Sequence, residues 1–295
     1  MIQNLAMALD KFPRRLCPEK VSNIHSNWIK LRYGNIRYVR TGNPNAKYTV
    51  VLSPDPPNNI EDMGELCALL EADFQIVAFD SPGFGYSTAS WSHRFSVVDN
   101  ANALIEVIDK LTLKNVILGM TCIASLSAVY AAQQRPELFS GLVLGQAPSV
   151  DDAIKWAKRV DTKGLIATPL VGQAMVNGMR NKVAAAWFRA ALPRGTDPTA
   201  YTDRALLAFK NGARFPLASV FQSMMRDVSA LEGLKTNHDA VLLWGSADRS
   251  HRHSDPRAAM ATLPNASFQE LTQCGHFPDL EQPDQYAAAI RSLAR

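Results

Sequence analysis

Five short stretches of this chain are apolar without the every-other-residue alternation of a half-exposed strand. They are 48–53 (YTVVLS), 74–80 (FQIVAFD), 116–120 (VILGM), 141–145 (GLVLG) and 239–245 (DAVLLWG). Strands buried on both faces read this way, and they belong to parallel sheets whose crossovers lay helices over each face. The intervening segments supply those helices: 60–71, 97–111, 126–134 and, at the end, 282–293. The spacing therefore predicts an α/β fold with a mostly parallel sheet. An antiparallel hairpin, 27–33 with 35–41 around Gly34-Asn35, precedes it, and 267–271 (SFQEL) supplies the last strand.

Composition narrows what such a chain does. With 295 residues, 47% hydrophobic and 20% charged, it has material for one large core or a core with an insertion. A net charge of +4 with no dense Lys/Arg run interleaved with aromatics leaves nucleic acid without a footprint. Residues 1–9 lack a basic n-region, and Gln3, Asn4 and Asp10 interrupt their apolar run, so neither a signal peptide nor a membrane helix is expected. Cys17, Cys67, Cys122 and Cys274 follow no disulfide or metal-ligand spacing. A soluble cytoplasmic protein without metal or organic cofactor is the expectation, with oligomeric state open.

The stretch that carries chemistry is 115–125, where the apolar run 116–120 stops at Thr121-Cys122-Ile123-Ala124-Ser125 and a small-residue helix begins, closed by Arg135-Pro136. A strand that turns sharply into a helix exposes a reactive side chain on the turn. Cys122 is the candidate nucleophile on that turn. Thr121 with Gly119 in front is the alternative nucleophile, although a β-branched residue suits a φ > 0 position poorly.

These features resemble the α/β-hydrolase superfamily, and three further stretches recur in that family's order. Asp80-Ser81-Pro82-Gly83-Phe84-Gly85-Tyr86-Ser87 resembles its D-x-P-G-x-G-x-S loop, 244–248 (WGSAD) the strand end that carries the acid, and 275–278 (GHFP) the loop that carries the histidine. The resemblance implies a Cys122, Asp248, His276 triad, similar to dienelactone hydrolases in its chemistry and to the dehalogenase and epoxide-hydrolase branch in spacing. Asp248 would orient His276, and His276 would take the Cys122 proton. The chain departs from the family at Met120 and Ala124, where glycines are usual, and at Ser53-Pro54-Asp55-Pro56, where H-G-x-P is usual. The oxyanion donors implied are the backbone N–H groups of Asp55 and Ile123. The Asp55 carboxylate reads either as a turn residue between prolines or as an acid/base group.

From 149 to 234 the pattern turns helical, with segments 153–160, 170–179, 184–192, 203–209 and 219–231. This is similar to the family's helical cap, which divides the chain into a core of 1–148 and 235–295 and a cap of 149–234. Ser53, Trp156, Trp187, Phe188 and Phe277 are the expected pocket residues. Between 151 and 214 eleven basic residues face five acidic ones, an imbalance compatible with an anionic acyl substrate. The function expected is a cysteine-dependent hydrolase or acyl-transferring enzyme acting on a small ester, lactone or thioester through an acyl-enzyme. Two alternatives stay open: a lyase or cyclase that moves protons with His276 and Asp55, and a catalytically silent ligand-binding protein.

Overall fold

The computed structural model describes residues 2–12 and 14–294. Helix α1 (Ile2–Lys11) leads to the hairpin β1 (Asn27–Leu31) and β2 (Gly34–Gly42), then β3 (Thr49–Ser53), α2 (Gly64–Leu70), β4 (Gln75–Phe79) and the short β5 (Thr88–Ala89). Next come α3 (Val97–Lys110), β6 (Val116–Thr121), α4 (Ala124–Gln134) and β7 (Phe139–Gly145). Four helices follow: α5 (Val150–Val160), α6 (Val171–Ala191), α7 (Thr199–Lys210) and α8 (Leu217–Arg226). The chain closes with β8 (Ala240–Gly245), β9 (Ala266–Leu271), α9 (Pro278–Glu281) and α10 (Pro283–Leu293).

The sheet runs β1-β2-β4-β3-β6-β7-β8-β9, with β5 beside β2. Strand β2 pairs antiparallel with β1, β4 and β5, and every pairing from β4 across to β9 is parallel. Successive residues of the central strands serve opposite faces. Val51, Leu118, Leu142 and Leu242 join Leu104, Val107 and Val129 from α3 and α4. Val50, Leu52, Ile117, Val143 and Leu243 join Leu66, Leu70, Tyr286 and Ile290 from α2 and α10. Each such side chain contributes roughly 1.5–3 kcal/mol by leaving water, which is why these strands read as unbroken apolar runs.

Two glycines are fixed by close approach. A Cβ on Gly119 would run into Leu52 Cδ2 and the ring of Tyr286, whose hydroxyl donates to the Val143 carbonyl at 3.0 Å. Gly119 thus seats α10 against the sheet and plays no part in the turn after β6. In the loop after β4, Asp80 accepts from the backbone N–H groups of Ile60 and Tyr86, both at 3.1 Å, and lies 3.7 Å from Arg37 Nη1. A Cβ on Gly85 would strike that carboxylate. The D-x-P-G-x-G-x-S pattern is therefore a buried carboxylate collecting backbone donors, with burial pushing the Asp80 carboxyl up to about 7.

The helical stretch differs from expectation in two respects, one being that the expected helix 219–231 ends as α8 at Arg226 and is followed by a separate 3-10 turn over Val228–Leu231. Segments 170–179 and 184–192 form the single helix α6, because Gly178 faces open space and an exposed glycine costs a helix only about 1 kcal/mol. No helix among the described residues is long and apolar enough to cross a membrane.

Candidate active site

The chain leaves β3 for β4 on one side and returns as β6 on the other, so the carboxyl ends of β3 and β6 diverge into a crevice. Asp55 follows the first strand and Cys122 the second. Cys122 has φ 56, in the left-handed region that non-glycine residues rarely occupy, and its N–H donates to the Gly145 carbonyl at 2.9 Å. Such strain persists only where the surroundings over-determine it. Thr121 stays on the strand, with its hydroxyl donating to Asp279 Oδ1 at 3.4 Å, away from the turn. Ile123 caps α4, so its N–H belongs to the unpaired first turn of that helix. Met120 continues β6, and Ala124 opens α4.

Two loops from the far half of the sheet bring in the acid and the histidine. His276 is fully buried and its Nδ1 lies 2.7 Å from Asp248 Oδ2. Every lone pair that Asp248 directs inward is used: Oδ2 also accepts from Gln146 Nε2 at 2.9 Å, and Oδ1 accepts from Ser250 N at 2.8 Å and Ser250 Oγ at 2.6 Å. Gln146 in turn accepts from Gly245 N at 2.8 Å. A Cβ on Gly245 would run into the Gly275 carbonyl, so this glycine lets the histidine loop pass. Burial alone would raise the Asp248 carboxyl, but the charge and hydrogen bond of His276 outweigh it and hold Asp248 below its ordinary 3.8.

On its other side His276 meets a second carboxylate. Asp55 Oδ2 lies 3.4 Å from Nε2, an ion-pair distance without a well-formed hydrogen bond. The Pro54-Asp55-Pro56 turn does not use this carboxylate. It is closed by the Asp55 carbonyl, which accepts from Asn58 N at 3.2 Å and Asn58 Nδ2 at 3.0 Å. Burial pushes the Asp55 carboxyl up, opposed by His276. For His276 burial pulls downward, yet Asp248, Cys122 and Asp55 together raise it well above 6.5. Burial, and then the Asp55 charge, raise the Cys122 thiol, while His276 and the Ile123 N–H act the other way.

A second histidine that the sequence did not single out, His251, completes the cluster. It is buried, stacks on His276 with ring centroids 5.1 Å apart and on Trp156 at 5.6 Å, and burial lowers it to about 3. Cys122 Sγ and one ring nitrogen each of His251 and His276 lie within 4.8 Å of one another. Gln146 and Ser250 were equally unforeseen. Gln146 had a usable signal, a polar residue directly after a buried strand at the edge where ligands bind; His251 and Ser250 had none beyond nearness to Asp248 in sequence.

The cluster opens on a cavity of about 370 Å³ between the sheet and the helical stretch α5–α8. Its wall includes Asp55, Cys122, Ile123, Trp156, Trp187 and His251 and is otherwise almost wholly apolar. The indole N–H groups of Trp156 and Trp187 are buried without a partner among the described residues. Ser53, Phe188 and Phe277 are not on this wall. Ser53 pairs with Ser81 Oγ at 3.0 Å, and Phe188 and Phe277 pack with Ala191, Leu192 and Ala205 behind His276. No Lys or Arg lines the cavity among the described residues, so the basic surplus of this stretch does not reach the bound volume.

Comparison with known proteins agrees with this fold. A family model described as "Alpha/beta hydrolase family" matches residues 64–289. The chain is 24% identical over 273 residues to the uncharacterized hydrolase YugF of Bacillus subtilis, spanning 88% of this chain and 94% of that one. It is 27% identical over 286 residues to haloalkane dehalogenase 2 of Mycobacterium tuberculosis, spanning 90% and 93%. Among solved structures, Cfl2 of Burkholderia cenocepacia superposes with a TM-score of 0.74 at 17% identity, over 92% of this chain and 95% of that one.

Proposed function

The chain belongs to the alpha/beta hydrolase family, and within it we propose a cysteine-dependent hydrolase that cleaves esters, lactones or thioesters with an apolar acyl part. The observation that carries this reading is Cys122 at φ 56 on a strand-to-helix turn, facing an apolar cavity beside a histidine that a buried carboxylate holds. Helices α5–α8 would act as the cap that shapes the acyl pocket. Cys122 Sγ attacks the carbonyl carbon while its proton passes to His276 Nε2. The oxyanion is met by the N–H groups of Asp55 and Ile123, and collapse expels the leaving group with the proton from His276. Water, deprotonated by His276, then releases the acid.

Asp55 fits this scheme when it is neutral. As a carboxylate it competes with the Cys122 thiolate for the imidazolium and opposes an oxyanion. As the buried acid that its raised pKa favours, it leaves the thiolate–imidazolium pair undisturbed and can donate toward the leaving group. Its approach to His276 Nε2 also favours a second reading, a lyase or cyclase in which Asp55 and His276 move protons and Cys122 only lines the pocket. Incubation with a small aryl thioester followed by intact-mass spectrometry separates the two. An acyl adduct that maps to Cys122 and turns over supports the hydrolase. Turnover undiminished in Cys122→Ala would refute it.

A further inference from the structure

The geometry points to a metal site that the sequence does not announce: Cys122 Sγ, His251 Nε2 and His276 Nε2 as three protein ligands for a zinc-class divalent ion, with the fourth position open to the cavity. Cys122 Sγ and one ring nitrogen of each histidine already lie within 4.8 Å of one another. Both histidines are buried, and in each the Nε2 atom is without a hydrogen-bond partner among the described residues. His276 Nε2 has only the 3.4 Å approach of Asp55 Oδ2, so two imidazole nitrogens beside a thiol lack well-formed hydrogen bonds and are open to an ion.

The opposite ring nitrogens are committed. His276 Nδ1 is 2.7 Å from Asp248 Oδ2, and His251 Nδ1 is 3.1 Å from Ser254 Oγ. A carboxylate or hydroxyl on the far nitrogen of a ligating histidine is the outer-shell arrangement that fixes ring orientation and raises basicity in metal sites. Charge points the same way. The Asp248 carboxylate stands behind His276, and among the described residues no Lys or Arg on the cavity wall opposes a cation. A Cys-His-His donor set suits Zn²⁺, whose bond lengths of about 2.3 Å to sulfur and 2.0 Å to nitrogen place tetrahedral ligands ~3.5 Å apart. Closure from the present spacing asks for a contraction of at most about 1.3 Å.

Binding would release the thiol proton and leave both Nε2 atoms unprotonated on the metal. With Cys122 and His276 occupied, covalent attack is blocked, so the site acts as a metal-sensitive lock on the same cavity. The inference rests on donor geometry and not on the proposed hydrolysis, and its readout is metal binding and not turnover, so the two fail separately.

The probe is Co²⁺ added to chelator-stripped protein under anaerobic conditions. One equivalent should produce a thiolate-to-cobalt charge-transfer band with intense tetrahedral d–d bands, and Zn²⁺ should displace them. Cys122→Ser should lose the charge-transfer band, and His251→Ala, or His251→Gln if the smaller residue unfolds the loop, should weaken Co²⁺ binding by more than the 10–100-fold typical of outer-shell loss. No thiolate band in the unaltered protein, a band that survives Cys122→Ser, or unchanged affinity without His251 would each overturn the site.

Discussion

Replacing Asp248 by Asn preserves shape and removes one charge, and the structure fixes what that costs. Four donors converge on the two carboxylate oxygens: Gln146 Nε2 and His276 Nδ1 on one, the N–H and hydroxyl of Ser250 on the other. An amide offers one oxygen and one NH₂. Turned toward Ser250, the NH₂ faces a backbone N–H that cannot invert. Turned toward Gln146, it forces that side chain to give up its acceptor contact with Gly245 N. Either way a buried donor is stranded, at about 1–3 kcal/mol.

The charge term adds to this. An opposite charge at this distance shifts a histidine by about 1–3 pKa units, or about 1.4–4 kcal/mol, so the two terms together give about 2–7 kcal/mol.

The sign fixes the pH window. His276 is raised above 6.5 in the folded protein, so its contribution is fully present below pH 6.5 and fades as pH rises through its folded value. Asp248 is depressed below 3.8, so its contribution is present above pH 3.8 and fades as pH falls through its folded value. The deficit of Asp248→Asn should therefore be greatest between pH 3.8 and 6.5 and narrow above. Urea unfolding followed by tryptophan fluorescence across that range measures it. A variant as stable as the parent in that window, or a deficit independent of pH, would show that Asp248 and His276 are not coupled as described.

Four further outcomes are expected. Iodoacetamide should alkylate Cys122, which lines the cavity beside His276, ahead of Cys17, Cys67 and Cys274, which do not; peptide mapping at early times reads the order. His276→Ala should lower thioester turnover by about 10³-fold or more while circular dichroism stays unchanged, and full activity would exclude it as the base. Asp55→Asn should leave Cys122 alkylation close to the parent rate, because a neutral Asp55 sets no charge beside the thiol, while it slows turnover and removes one limb of the pH–rate profile; unchanged turnover and pH profile would leave Asp55 a purely structural residue. Arg37→Ala should cost about 3–5 kcal/mol in urea unfolding, since it strands Glu61, now 2.5 Å from the guanidinium, and Asp80 in the interior.

The sequence by itself determined the architecture. Apolar runs such as 50–52 and 116–118 can be satisfied only between two helical layers, so the parallel sheet and its covering helices were legible from hydropathy and length. The turn after β6 was legible too, because a buried strand that ends in small and polar residues before a helix leaves few places for the chain to bend.

Tertiary structure alone decided what surrounds that turn. Asp55 read first as a turn residue and second as an acid, and it is the divergence of β3 and β6 that sets its carboxylate 3.4 Å from His276 Nε2. His251 carries no local signal of function and Gln146 only its place directly after a buried strand, since their roles arise from loops converging on one edge of the sheet, with 102 and 28 residues separating Gln146 and His276 from Asp248. Phe188 and Phe277 looked like pocket aromatics and instead pack behind the histidine. Helical spacing shows which face of α6 is apolar but cannot tell a cavity wall from the cluster beside it, because both bury the same kind of surface and only the packing of neighbouring elements leaves one of them empty.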